Sequence, residues 1–194
     1  ATWDAGTFAL GGDKQWLVID KTGGMGDVHI YAFWTYYYSI CNPKAFTRST
    51  DRGAFYEDCY TLDGQPHWGT LAVSPDGELY TVGANDLSVI TVTKSVTAMD
   101  PLYPVSWNFT SEVFLDGELS GWSDVNPAGL TGQANIAVDY SEVGKGNVYV
   151  LASVDRLSNT DPADTAARLT VSMPPSRSAS TARAASHCGA KTSV

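Results

Sequence analysis

The chain has 194 residues, of which 43% are hydrophobic and only 17% charged, a composition that suits a packed core and argues against extensive intrinsic disorder. Its formal net charge is −9, which argues against nucleic acid and anionic membranes as partners. No apolar run reaches the roughly 18 residues of a membrane-spanning helix, so no transmembrane segment is predicted.

The composition favours β-strands over helices. Gly, Tyr and Trp are abundant, with 18, 10 and 6 copies, whereas Lys and Arg together number only 12. Helical periodicity is weak, and nine prolines are scattered along the chain, which discourages long helices.

Three copies of one pattern predict three β-hairpins. Each copy has an apolar run, a turn that contains glycine, and a second run in which apolar and polar residues alternate. The paired runs are Leu17–Asp20 with Gly26–Tyr31, Leu71–Ser74 with Glu78–Val82, and Ile136–Asp139 with Gly146–Val150. We expect Asp20 and Asp139 to cap their turns, because they hold equivalent positions before glycine-containing loops.

Further strand-like runs follow each hairpin. They are Ala45–Ser49, Cys59–Leu62, Ser88–Thr93, Glu112–Leu115 and Arg168–Met173. Four short strands repeated every 50–60 residues or so are typical of β-propeller blades, so we predict an all-β fold of about three blades, each with four antiparallel strands. A β-sandwich, which also joins short strands by turns, is the alternative.

The composition changes near residue 165. Residues 1–164 carry all the acidic residues and form the predicted three-blade region, whereas residues 165–194 carry only basic charges. The second segment is rich in Ser, Ala and Arg, so it is either a disordered tail or the out-of-frame end of a longer propeller gene. We expect this segment to complete or cover the last blade, with Arg168–Met173 as its third strand.

One segment resembles the Asp box, the bacterial neuraminidase repeat Ser-x-Asp-x-Gly-x-Thr-Trp. The residues that match the motif or keep its final aromatic are Ser49, Asp51, Gly53 and Tyr56, and Phe55 replaces the usual Thr. In such a turn the Asp caps backbone donors, the Gly accepts a positive φ, and the aromatic ring packs underneath. The motif is therefore structural, and we place it between the third and fourth strands of a blade.

Other segments extend this resemblance to the sialidase-like propeller family. They are Gly12–Trp16, His67–Val73 and Asn126–Gln133, and the resemblance covers about residues 10–165. The chain departs from the family in two ways. Sialidase-like propellers have six blades, whereas this chain is long enough for about three, and sialidases bind the substrate carboxylate with three arginines. Residues 1–164 hold only Arg48, Arg52 and Arg156 and no Arg-Ile-Pro segment, which argues against sialic acid as the substrate.

The resemblance places a substrate over the propeller axis, near the entrances of the innermost strands. Asp13 and His67 are the catalytic candidates there, since carboxylates serve glycoside hydrolysis and a histidine can act as a base near neutral pH. The substrate-binding candidates, which offer a basic group, aromatic faces and amides, are Lys14, Trp16, Trp68, Gln133 and Asn135. The alternative is that both tryptophans belong to the core, Asp13 caps a turn and His67 is structural.

The resemblance implies a sialidase-like glycoside hydrolase, or a remnant of one, that acts on a carbohydrate. The alternative is a non-catalytic propeller that binds carbohydrate or protein. We expect no cofactor and no metal site, because no Cys-x-x-C motif occurs and the His residues are scattered. The sialidase nucleophile is a tyrosine activated by a carboxylate, but nothing in the sequence marks Tyr36–Tyr38 for that role. A secreted or extracellular location is expected.

The cysteines predict one disulfide. Cys41 and Cys59 flank the Asp-box turn on the two sides of one predicted hairpin, so they can face each other, and Cys188 remains free. Two buried free thiols are the alternative.

The blade count predicts an assembly. Three blades leave an apolar face bare at each end, and soluble monomers rarely expose such faces. We therefore expect a homodimer that completes a six-bladed ring, with Pro174–Val194 sealing the junction. The alternative is an open three-blade fragment whose tail folds over the bare face.

Overall fold

The computed structural model describes residues 6–119, 133–156 and 165–172. The tail Pro174–Val194 with Cys188, and most of the Asn126–Gln133 segment, lie outside the described residues. Within the described ranges the chain forms strands in three antiparallel sheets and one short 3-10 helix. The prediction of an all-β fold is confirmed.

The first sheet has the strand order β1-β2-β3. It consists of β1 (Asp13–Ile19), β2 (Ile30–Thr35) and β3 (Phe46–Ser49). The β1–β2 pair is the first predicted hairpin, and its turn forms because Asp20 Oδ1 accepts the backbone N–H of Thr22 at 2.8 Å.

The middle sheet has four strands in sequential order. They are β4 (Leu71–Val73), β5 (Leu79–Ala84), β6 (Ile90–Ser95) and β7 (Phe109–Val113). The β4–β5 pair is the second predicted hairpin.

The third sheet is organised around one long strand. It consists of β8 (Gly117–Glu118), β9 (Asn135–Val138), β10 (Val148–Arg156) and β11 (Thr165–Ser172). On one side β10 pairs with β11, and on the other it pairs with β9 and then β8. The β9–β10 pair is the third predicted hairpin, and β11 contains most of the predicted strand Arg168–Met173.

The middle sheet is covered on both faces, which explains why every residue of β5 is buried. Alternate side chains of a strand point to opposite faces. Leu79 packs into one core with Tyr31 and Phe33 of the first sheet. Val82 packs into a second core with Val150 of the third sheet. The sheets are therefore layered, with the middle one between the other two.

The Asp-box segment folds as its motif predicts. The Ser49 hydroxyl donates to Asp51 Oδ1 at 2.8 Å and accepts the backbone N–H of Gly53 at 2.8 Å. Asp51 Oδ1 also accepts the backbone N–H of Phe55 at 2.9 Å. Gly53 has a φ of 86°, a conformation that favours glycine.

A disulfide joins Cys41 to Cys59, as the sequence predicts, with a Cα–Cα distance of 6.5 Å. Next to it, Tyr60 forms an isolated bridge with Phe46 at the edge of the first sheet. The predicted strand Cys59–Leu62 is thus reduced to this one bridged residue. The predicted strand was too long. After β3 ends at Ser49, the chain forms the Asp-box turn and runs back, and only Tyr60 pairs with β3 again.

One segment without a predicted structure and one predicted strand remain to be placed. Tyr36–Tyr38 forms a 3-10 helix, because the Ser39 N–H bonds back to the Tyr36 carbonyl at 3.0 Å. The strand predicted at Glu112–Leu115 runs from Phe109 to Val113, since its register pairs Phe109 with Lys94 of β6. No helix within the described ranges is long and apolar enough to cross a membrane.

Candidate functional site

One strand from each sheet lies next to a strand of the neighbouring sheet. β4 lies between β1 and β9. The Ala134 N–H, just before β9, donates to the Trp68 carbonyl at 2.9 Å, and the Ile136 N–H donates to the Thr70 hydroxyl at 2.9 Å. Segments from all three sheets therefore meet at one end of the layered structure, where the sequence predicted a site.

Two tyrosines share one carboxylate at this end. The 3-10 helix that follows β2 carries Tyr36 and Tyr37, and both phenols donate to Oδ1 of Asp86, Tyr37 at 2.6 Å. Asp86 lies in the turn that follows β5, so tertiary packing of the first two sheets creates the contact. The tyrosines differ in access, since Tyr36 is buried whereas the Tyr37 residue is 48% exposed.

These hydrogen bonds fix the charge state of the cluster. The bonds from Tyr36 and then Tyr37 lower the pKa of Asp86, because they stabilise its ionised form. The same bond to Asp86 raises the pKa of Tyr37, since a phenolate would lie beside a carboxylate. The pKa of Tyr36 is raised mainly by burial. At neutral pH the unit therefore consists of a carboxylate and two protonated phenols.

His67 lies beside the tyrosines and is only 2% exposed. Its ring meets those of Tyr36, Tyr37 and Trp68 edge-on, with centroid distances of 5.7, 5.3 and 4.5 Å. Its Nδ1 is buried and has no hydrogen-bond partner among the residues that the structure describes. Burial lowers the pKa of His67, so the ring stays neutral near pH 7.

Glycine allows the His67 segment to lie against β5. The His67 N–H and carbonyl both bond to Ala84, at 2.7 and 2.8 Å. A Cβ on Gly83 would lie 2.5 Å from the His67 carbonyl oxygen, and one on Gly69 would lie 1.6 Å from the Val82 carbonyl oxygen. Larger residues at either glycine would push the histidine and Trp68 away from the sheet.

Asp13 and Lys14 lie at the start of β1 and form an ion pair of 2.6 Å. Asp13 is paired in register with Thr35, the residue before the tyrosine helix. The register shifts between Asp13 and Trp16, and Lys14 has a φ of 55°. Such a bulge re-aims side chains and is frequent beside active sites. This geometry brings the ion pair next to the tyrosine helix.

The tryptophans differ in environment. Trp16 is 43% exposed, so the core interpretation fails for it, and its indole offers an accessible face. Trp68 is half-buried against His67, with a φ of 53°. Gln133 and Asn135 flank Ala134, whose backbone bond to Trp68 places them beside this segment.

Sequence reasoning noticed Tyr36 and Tyr37 without assigning a role, and it missed Asp86. The contacts that define the cluster join residues 50 and 49 positions apart, and no local motif encodes such a distance. The one usable signal was the tyrosine run itself. In the described part of the chain, no three His, Cys, Asp or Glu side chains gather as a metal site would require.

No model of a known protein family matches the chain, and no curated protein sequence matches it either. The resemblance to sialidase-like proteins therefore depends on the motifs quoted above, and the assignment of the site depends on its geometry.

Proposed function

We propose that the chain is a sialidase-like glycoside hydrolase, or a remnant of one, built from about three β-propeller blades. The observation that carries the proposal is the pair of tyrosine hydroxyls on one ionised carboxylate, beside aromatic faces. Tyrosine activated by a carboxylate is the nucleophile that the resemblance implies. No arginine contacts the Tyr36–Tyr37–Asp86 cluster in the described structure, and sialidases use arginines to bind the carboxylate of sialic acid. The proposed substrate is therefore a carbohydrate other than sialic acid.

The blade assignment is supported by three features. The sheets are antiparallel and layered face to face, their strands β1, β4 and β9 lie side by side, and an Asp-box-like turn follows the third strand of the first sheet. Blades of a propeller have this relation to each other. A secreted location is supported by the disulfide, since such bonds persist in oxidising compartments.

Tyr37 is the proposed nucleophile because it is the more accessible phenol on Asp86. Its oxygen attacks the anomeric carbon while its proton passes to the Asp86 carboxylate. The bond from that carbon to the leaving oxygen breaks, and the oxygen takes a proton from the Asp13–Lys14 pair. Water then cleaves the glycosyl–tyrosine bond, returning a proton to that pair, and Asp86 returns the proton to Tyr37.

The remaining side chains position the substrate and the nucleophile. His67 is proposed to hold the tyrosine rings in place, because its buried neutral ring packs edge-on against both. Trp16 and Trp68 offer faces on which a sugar ring can stack, and Gln133 and Asn135 offer amides for its hydroxyls.

A non-catalytic carbohydrate- or protein-binding propeller is the second candidate. It is favoured by the exposed aromatic surface of Trp16, Tyr37 and Tyr38, which would bind a ligand without any chemistry.

A panel of 4-nitrophenyl glycosides, including a sialoside, separates the two candidates. We expect release of nitrophenol from at least one neutral or amino-sugar glycoside and none from the sialoside. The matched control is Asp86→Ala, which removes the carboxylate. Tryptophan fluorescence that responds to a sugar while no glycoside is cleaved would support the binding protein and contradict the hydrolase.

A further inference from the structure

Within the described ranges, the carboxylate of Asp86 forms no ion pair with a positive side chain. The described ion pairs join Asp13 to Lys14, Arg48 to Glu57, Glu78 to Lys94 and Asp76 to Lys145, and Asp86 takes part in none of them. Its oxygen Oδ1 accepts the two phenols, whereas Oδ2 accepts no hydrogen bond from any residue in the described ranges. Asp86 is an exposed residue, so its Oδ2 is available to a donor from a ligand.

The described neighbours of Asp86 do not compensate its charge. Its hydrogen-bond partners are two neutral phenols, and His67, buried beside the tyrosines, is neutral near pH 7. Tyr37 adds a half-exposed ring next to the carboxylate. A negative charge with aromatic faces attracts cations, since ring faces are themselves negative. The net charge of −9 strengthens this field.

We propose that the site selects a sugar with a free ammonium group, which bonds to Oδ2 of Asp86 and lies against the Tyr37 ring. This inference rests on the proposed function, because it names the substrate class of that same site. It predicts that acidic sugars are repelled and that N-acetylation, which removes the charge and adds bulk, weakens binding.

The test compares three methyl glycosides by tryptophan fluorescence titration at low ionic strength. Methyl glucosaminide carries the ammonium, methyl N-acetylglucosaminide is its uncharged counterpart, and methyl glucuronide is anionic. We expect the glucosaminide to bind about fivefold more tightly than the N-acetylated sugar, a modest factor because Asp86 is exposed. The preference should fall as salt is added.

Two variants locate the effect. Asp86→Asn keeps the shape of the side chain and should abolish the preference, whereas Asp76→Asn, at the opposite end of β5, changes the net charge equally and should preserve it. The proposal would be overturned if the N-acetylglucosaminide or the glucuronide bound as tightly as the glucosaminide or more tightly. It would also be overturned if none of the three sugars bound, or if Asp86→Asn kept the preference. The ligand series on the native protein decides the matter even where the variant fails to fold.

The outcomes separate this inference from the proposed hydrolase. Cleavage of glycosides without an ammonium preference would overturn only the substrate class. An ammonium preference without cleavage would overturn only the catalysis.

Discussion

At the scale of single residues, Arg48 is a charged side chain with only 1% exposure that makes many hydrogen bonds. Its guanidinium bonds to Oε1 of Glu57 at 3.0 and 2.7 Å, and to the carbonyls of Ala98, Asp100 and Tyr103 at 2.9, 2.9 and 3.0 Å. One side chain of the first sheet thus holds the loop that follows β6 of the middle sheet. A planar guanidinium with five donors suits this arrangement, whereas a lysine could not satisfy it.

We predict that Arg48→Met lowers the free energy of unfolding by about 3–5 kcal/mol, because Glu57 and the carbonyls of Ala98, Asp100 and Tyr103 lose their partner. Urea denaturation measures the loss. Arg52→Met, an exposed position in the Asp-box turn, is the control and should change stability by less than about 0.5 kcal/mol. Similar stabilities for the two variants would show that the buried arginine does not hold the loop.

His29 makes stability depend on pH. Burial, and then the charge of Arg48, lower the pKa of His29 below its ordinary 6.5, so the folded state takes up a proton at lower pH than the unfolded state. Stability is therefore complete above about pH 6.5 and is lost as the pH falls below it. His67, whose pKa is also lowered by burial, acts in the same direction.

The variant His29→Asn should flatten this dependence. Asparagine is chosen because Asn147 holds the equivalent position in the third hairpin. The Asp20 N–H donates to the His29 carbonyl, and in the same way the Asp139 N–H donates to the Asn147 carbonyl. Urea denaturation at pH 7 and 5 should show a smaller loss in the variant, the histidine contributing at most about 1.4 kcal/mol per pH unit. Identical losses in both proteins would contradict the role of His29.

At the scale of elements, the three hairpins were predictable because their information is local. An apolar run, a capping side chain and a glycine-containing turn fix each one. Asp20 and Asp139 cap the first and third turns, where their Oδ1 atoms accept the N–H groups of Thr22 and Ser141, and the Ser74 hydroxyl caps the second by accepting the Glu78 N–H at 3.1 Å. The Asp-box turn was predictable for the same reason. The 3-10 helix at Tyr36–Tyr38 was not, since its rings are held by Asp86 and His67 from the middle sheet.

The disulfide closes the Asp-box element. Cys41 and Cys59 are separated by 18 positions, and closing a loop of that size stabilises the fold by about 3 kcal/mol. We predict that thiol titration of the unfolded, unreduced protein finds one reactive cysteine, Cys188. After reduction the count should rise to three, the total in the sequence. Three reactive thiols before reduction would show that the disulfide between Cys41 and Cys59 does not form.

At the scale of the whole molecule, the outer sheets leave apolar side chains uncovered. On β1, Leu17 and Ile19 lie on the face opposite Val18, which packs into the first core, and both are exposed. On β10, Leu151 is exposed while Val150 is fully buried in the second core. Since the middle sheet is covered on both faces, the outer faces are the places where further sheets would pack.

We predict that two chains associate through these faces and complete a six-bladed ring. Light scattering at micromolar concentration should give about twice the chain mass of 20.7 kDa. Leu17→Lys should shift the mass toward one chain, whereas Leu102→Lys, on an exposed loop that follows β6, should not. A mass of one chain for the unsubstituted protein would reject the dimer and favour an open fragment.

The proposed hydrolase activity depends on the hydroxyl of Tyr37, and one kinetic comparison tests this dependence most directly. Tyr37→Phe keeps the ring and removes the nucleophile, while Tyr38→Phe makes the same change on the neighbouring residue, which is 72% exposed. With the glycoside that the native protein cleaves fastest, we predict that Tyr37→Phe lowers kcat by about a thousandfold or more and Tyr38→Phe by less than about twofold. Equal rates for the two variants would contradict the proposed catalytic role of the Tyr37–Asp86 pair.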